Sequence, residues 1–114
     1  MNFSHTQKGS VVIVTIDGEI DLKTSSTLRR ELMALAGRSS MVIDLGRVTY
    51  MDSSGVASLV EALQTSKKSG RPFVLAALAG DALRVLQLAR LDRVFTLADD
   101  LETALELAKD GQQQ

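Results

Sequence analysis

The residues with the clearest capacity for chemistry are Asp52, Ser53, Ser54 and Gly55, where a carboxylate, two hydroxyls and a residue without a side chain follow one another directly. Hydroxyls at a helix N-terminus meet unpaired backbone N–H groups and the positive end of the helix dipole, a setting that suits capping, anion binding or a phosphate. The flanking residues predict that setting. Met41 to Leu45 is an apolar run of strand length, and beyond the polar run Val56, Leu59, Val60 and Leu63 fall at the i, i+3, i+4, i+7 spacing of one helical face. Ser58, Glu61 and Gln64 take the opposite face, so a strand hands over to a helix at Ser54. A serine before a helix is most often a cap worth about 1 kcal/mol. With two in succession, one can cap and the other is free to present its hydroxyl.

Other chemistries find few residues to carry them. The chain has one histidine, His5, on a weakly patterned first strand, so no serine-histidine triad can be assembled. Asp-Ser-Ser-Gly also lacks the leading glycine of a nucleophile elbow. Cysteine is absent and the carboxylates lack ligand spacing, which argues against a metal centre, and the glycines form no phosphate-binding loop. The chain is therefore read as a non-enzyme with no cofactor. Asp52 lacks the acidic pair that would make it a phosphoryl acceptor and is read as a cap or as orienting a hydroxyl. Asp44, ahead of Gly46, and Asp21 are read as turn-closing carboxylates.

Composition narrows the partners. At 114 residues, 45% hydrophobic and 24% charged with a single proline, the chain fits one soluble domain. A net charge of −1 offers no basic footprint for nucleic acid or anionic membrane. Absence of cysteine fits a reducing compartment, and neither a secretory signal nor a membrane-length apolar run is evident. A cytoplasmic location without membrane insertion is expected.

In chain order, Asn2 to Lys8 alternates weakly and Gly9-Ser10 supplies a hairpin turn. Val11 to Ile16 is apolar on both faces, as a covered strand requires, and Asp17-Gly18 is expected to end it. A first helix is expected from Ser25, within a cluster of N-cap candidates, ending at Gly37 as a left-handed C′ residue. The helix from Ser54 closes at Lys67, Lys68 and Gly70. Phe73 to Leu78 is the next strand, followed by a helix from Asp81 with Leu83, Leu86 and either Val85 or Ala89 inward, a short strand at Val94-Phe95 and a last helix from Asp100. Leu28, Leu32, Val56, Leu59, Val60, Leu63, Leu83, Leu86, Leu101 and Leu105 are the expected core. Residues 1–110 are taken as the domain and 111–114 as a disordered tail. The fold expected is α/β, a mixed sheet of about four or five strands with about four helices and right-handed crossovers.

Ile43-Asp44-Leu45, Val48, Tyr50-Met51, Asp52-Ser53-Ser54-Gly55-Val56 and Leu59, preceded by Gly18-Glu19-Ile20-Asp21 and followed by Gly70-Arg71-Pro72, resemble the signature of the STAS domain, in particular the bacterial anti-sigma factor antagonists. The resemblance spans nearly the whole chain, and it implies a single STAS domain. It further implies partner switching in transcription regulation. The unphosphorylated form would bind an anti-sigma factor, a serine-protein kinase of the GHKL type, and free the sigma factor; phosphorylation on the second serine, Ser54, would release it. Asp52, Ser53 and Gly55 are then phosphosite neighbours and candidate partner contacts, with Asp21 and Thr24 as further candidates. A homodimer is kept as a candidate assembly. Two alternatives share the fold: a STAS subunit of an ABC-type lipid transport complex, and a scaffold component of a stress-signalling complex. The paired serine favours the switch, because transporter-associated relatives tend to lack it.

Overall fold

The computed structural model describes residues 1–112, with side chains as far as Lys109. β1 (Asn2–Lys8) and β2 (Val11–Ile20) form an antiparallel hairpin whose turn uses Gly9 at φ +63°, the left-handed region that glycine enters at little cost. There follow α1 (Leu22–Leu35), β3 (Ser40–Met51), α2 (Ser53–Lys68), β4 (Phe73–Ala76), α3 (Gly80–Leu88), β5 (Thr96–Ala98) and α4 (Leu101–Gln112). The strands lie in the order β1-β2-β3-β4-β5, with every pair after the hairpin parallel. This is the mixed sheet expected from the sequence.

Because the strand order never reverses, right-handed crossovers place α1, α2 and α3 on one face of the sheet. There they cover Val12, Val14, Ile16, Met41, Ile43, Phe73 and Leu75 with Leu28, Leu32, Leu59, Leu63 and Leu86. The other face is left to α4, whose Ala104 and Ala108 lie against Val11, Val42, Val74 and Ala76. Small residues at the centre of α4 let it approach the sheet closely. Leu101 and Leu105 flank that line and are only half-buried, as are Val60 and Leu83; the remaining residues expected in the core are buried. Val85, not Ala89, takes the inward place on α3.

Several boundaries differ from the expected ones, each for a local reason. β2 continues through Asp17-Gly18 because register shifts against β3, with Gly18 at φ +102°, absorb the irregularity. α1 starts three residues before Ser25, since Asp21 rather than the Thr24–Thr27 cluster supplies its cap. β4 stops at Ala76, where Ala77 turns to φ +59° and donates its N–H to Ala98. The short strand is Thr96–Ala98, while Phe95 is buried from the preceding turn against Phe73 at 6.3 Å between ring centroids. Asp100 stands outside α4 and caps it, accepting from the Thr103 N–H at 2.8 Å. Gly37 does take the left-handed C′ position, at φ +82°. The expected tail at 111–114 falls partly in α4, which reaches Gln112, and otherwise outside the described residues.

Candidate functional site

The site is built by two strands that end together. Ile20 of β2 and Met51 of β3 are register partners, and the Asp52 N–H donates to the Ile20 carbonyl at 3.2 Å. The next residue on each strand is an aspartate, so Asp21 and Asp52 cap α1 and α2 side by side. Asp21 accepts from the N–H groups of Lys23 (3.0 Å) and Thr24 (3.1 Å), while Thr24 Oγ1 accepts from the Asp21 N–H at 2.9 Å. That reciprocal arrangement is a capping box, and it engages Asp21 Oδ1 and Thr24 Oγ1.

At α2 the cap is Asp52, and neither serine caps the helix, contrary to the expectation that one of them would. Asp52 Oδ1 accepts from the Ser54 N–H at 3.0 Å and the Gly55 N–H at 3.3 Å. The same oxygen accepts from the Ser54 hydroxyl at 2.5 Å, the length of a charge-assisted O–H···O bond. This hydroxyl bond is the main cause that holds the Asp52 carboxyl below its ordinary range; partial desolvation opposes it, and the N–H groups of Gly55, Ser54 and Leu22 add to it. Ser54 is half-buried and its hydroxyl has a fixed direction, whereas Ser53 is exposed.

Gly55 explains why this turn holds its place. A Cβ there would meet Ile20 Cγ2 at 2.6 Å and Met51 Cγ at 2.9 Å, so the first turn of α2 lies against the paired strand ends with no room for a side chain. Gly55 is accordingly buried. One turn on, buried Ser58 donates towards the Ser25 carbonyl of α1 (3.1 Å) and the Ser54 carbonyl (3.2 Å), tying the turn to the neighbouring helix. Asp44 accepts from the Gly46 N–H at 3.0 Å, but it closes no turn: β3 runs on through Gly46-Arg47 to Met51, beyond the strand end expected at Leu45, because Asp17 to Ile20 of β2 continue to pair with it.

The family model for the STAS domain matches residues 2–104. The chain belongs to the STAS family. The anti-sigma-B factor antagonist of Bacillus subtilis is 28% identical over 107 residues, covering 93% of this STAS protein and 98% of that one. The anti-sigma-F factor antagonist RsfB of Mycobacterium tuberculosis is 30% identical over 105 residues, covering 89% and 84%. A solved anti-sigma factor antagonist from Mycobacterium paratuberculosis superposes with a TM-score of 0.87 at 27% identity, covering 95% of this chain and 93% of that one.

The STAS fold thus brings Asp21, Thr24, Asp52, Ser53, Ser54 and Gly55 to the adjoining starts of α1 and α2. Sequence reasoning missed Leu22, which is 78% exposed at the start of α1 although apolar, and whose N–H faces Asp52. Its signal was its place directly after the aspartate. Tyr50, at the end of β3, is exposed as well. His5 lies on β1, and no three His, Cys, Asp or Glu side chains among the described residues group as metal ligands. No described helix is long and apolar enough to cross a membrane.

Proposed function

We propose that this STAS protein is an anti-sigma factor antagonist that works by partner switching. Unphosphorylated, it binds an anti-sigma factor in the cytoplasm and releases the sigma factor; phosphorylated on Ser54 by that partner, a serine-protein kinase of the GHKL type, it lets go. The observation that carries this reading is the Ser54 hydroxyl, held at 2.5 Å by Asp52 in the first turn of a capped helix. Family membership and antagonist relatives along nearly the full chain support it.

Asp52 accepts the hydroxyl hydrogen and so aims the oxygen lone pairs outward. With its carboxyl held below the ordinary range, Asp52 is a poor proton acceptor, so its part is orientation rather than general-base catalysis. Phosphoryl transfer from ATP on the kinase forms the Oγ–P bond, releases ADP and passes the hydroxyl proton to a base of the kinase; it thereby removes the donor that Asp52 relies on and places about −1.5 to −2 charges beside that carboxylate. The α2 N–H groups and helix dipole accommodate this charge, so the domain stays folded. A surface fitted to a neutral hydroxyl does not, and a like-charge contact of several kcal/mol weakens the complex by roughly a hundredfold or more.

Calorimetric titration of a GHKL-type kinase encoded beside this gene tests the reading. Wild type and Ser54→Ala should bind with similar affinity and Ser54→Asp at least about tenfold more weakly, a difference of about 1.4 kcal/mol. Equal affinities for Ser54→Asp and Ser54→Ala would contradict it.

A further inference from the structure

β1 has a strand on one side only. It pairs with β2 in unbroken register from Asn2↔Asp17 to Lys8↔Val11 and ends the sheet order β1-β2-β3-β4-β5. Its outward N–H and C=O groups are therefore a template for another strand. Proteins commonly blunt such edges with very short strands, proline, bulges or charges. β5, the opposite edge, has three residues. β1 has seven, Asn-Phe-Ser-His-Thr-Gln-Lys, with no proline, no register shift and a single charge at its end, and every residue except Phe3 is exposed.

We infer that β1 is a self-pairing interface, through which two copies of this chain join edge to edge with their β1 strands antiparallel and His5 on the two-fold axis. A second copy is the occupant because the strand is complementary to itself in that register. Centring on His5, the strand midpoint, sets Asn2 opposite Lys8 of the second copy, Phe3 opposite Gln7 and Ser4 opposite Thr6. No like charges face each other. Directly paired residues share a sheet face, so Lys8 of the second copy extends the row Asn2, Asp17, Arg47. The Asp17 carboxylate is 49% exposed and has Arg47 at 3.9 Å on its far side, which leaves its near side to Lys8 across the short Asn2. Symmetry makes this contact twice. On the other face Phe3 and His5 already meet edge to face, with centroids 6.4 Å apart and planes at 64°. The two-fold axis continues them into a row Phe3, His5, His5, Phe3 across the joint. A net charge of −1 per chain adds little repulsion between copies.

One added strand ladder is smaller than a standard interface, so association is weak and concentration-dependent. Sedimentation of the chain from about 10 μM to about 1 mM, the range suited to such an interface, should show a monomer giving way to a dimer. The chain has no cysteine, so single replacements report the register. His5→Cys places two thiols opposite each other on the axis and should give a disulfide-linked dimer on mild oxidation. Gln7→Cys puts its two thiols roughly 13 Å apart and should cross-link at least about tenfold less. Combining Ser4→Lys with Thr6→Lys sets like charges opposite each other at exposed positions and should abolish dimerisation, whereas Ser4→Glu with Thr6→Lys should keep it. Monomer at every concentration overturns the proposal and leaves the edge to an extended segment of another protein. Equal cross-linking at both positions, or dimerisation unaffected by the paired lysines, overturns it equally. None of these results depends on the switching role of Ser54.

Discussion

Gly55→Ala is the sharpest test of how the turn at Ser54 is held. The added Cβ would lie 2.6 Å from Ile20 Cγ2, 2.9 Å from Met51 Cγ and 3.3 Å from Ile20 Cβ. Both neighbours are fully buried and are paired at the joined ends of β2 and β3, so neither can move aside freely. Overpacking of this kind costs about 1–3 kcal/mol. Alanine regains about 0.5–1 kcal/mol over glycine inside a helix, which leaves a mid-range net loss of about 1 kcal/mol. For a urea slope of about 1–2 kcal/mol per molar, the unfolding midpoint should fall by up to roughly 1 M with unchanged slope. Ser53→Ala, at an exposed position in the same turn, should stay within about 0.5 kcal/mol of wild type. A Gly55→Ala variant as stable as wild type would show that helix propensity alone governs the position and would refute the close-approach argument.

Asp52→Ala removes the α2 cap and should cost about 1 kcal/mol in the same urea assay, whereas a loss smaller than that of Ser54→Ala would mean that the serine caps after all. Asp52 has a depressed carboxyl pKa in the folded state, so its contribution to stability is present above the ordinary aspartate range near pH 4 and is lost as pH falls through the folded value. Ser54→Ala deletes the main cause of that depression; carbon-detected NMR titration should find the Asp52 pKa raised relative to wild type, and an unchanged value would discount the hydroxyl bond. Ala77→Gly should stabilise the protein by about 0.5–1 kcal/mol, because φ +59° costs an L-residue about 1–2 kcal/mol and glycine gives back part of that through unfolded-state entropy. A thermal melt showing destabilisation would contradict it.

The central stretch was legible because an apolar run of strand length, Met41 to Leu45, is followed beyond Asp52 by a 3.6-residue repeat. The identity of the cap was not. Serine and aspartate are equally good cap residues, and only the folded chain, in which Ile20 pairs with Met51 and Asp21 and Asp52 accept from the N–H groups that follow them, settles that both helices begin directly after an aspartate. The same pairing was hidden at Asp17-Gly18, where a glycine that reads as a strand end serves as a bulge that lets β2 reach the site. Gly55 could be singled out as part of a motif, but its reason lies in side chains more than thirty and only four positions away, brought together by the sheet. Half-burial of Leu101 and Leu105 follows from α4 covering its face alone, a matter of layer count rather than periodicity.

The central claim is that the Ser54 hydroxyl is the switch, and phosphosite mapping by mass spectrometry after incubation with the partner kinase and ATP, paired with the affinity of the modified and unmodified forms, tests it most directly. One phosphate on Ser54, absent from Ser54→Ala, should accompany a roughly hundredfold or greater loss of affinity in a protein whose melt remains cooperative. Modification on Ser53 instead, or full affinity after phosphorylation of Ser54, would contradict the account.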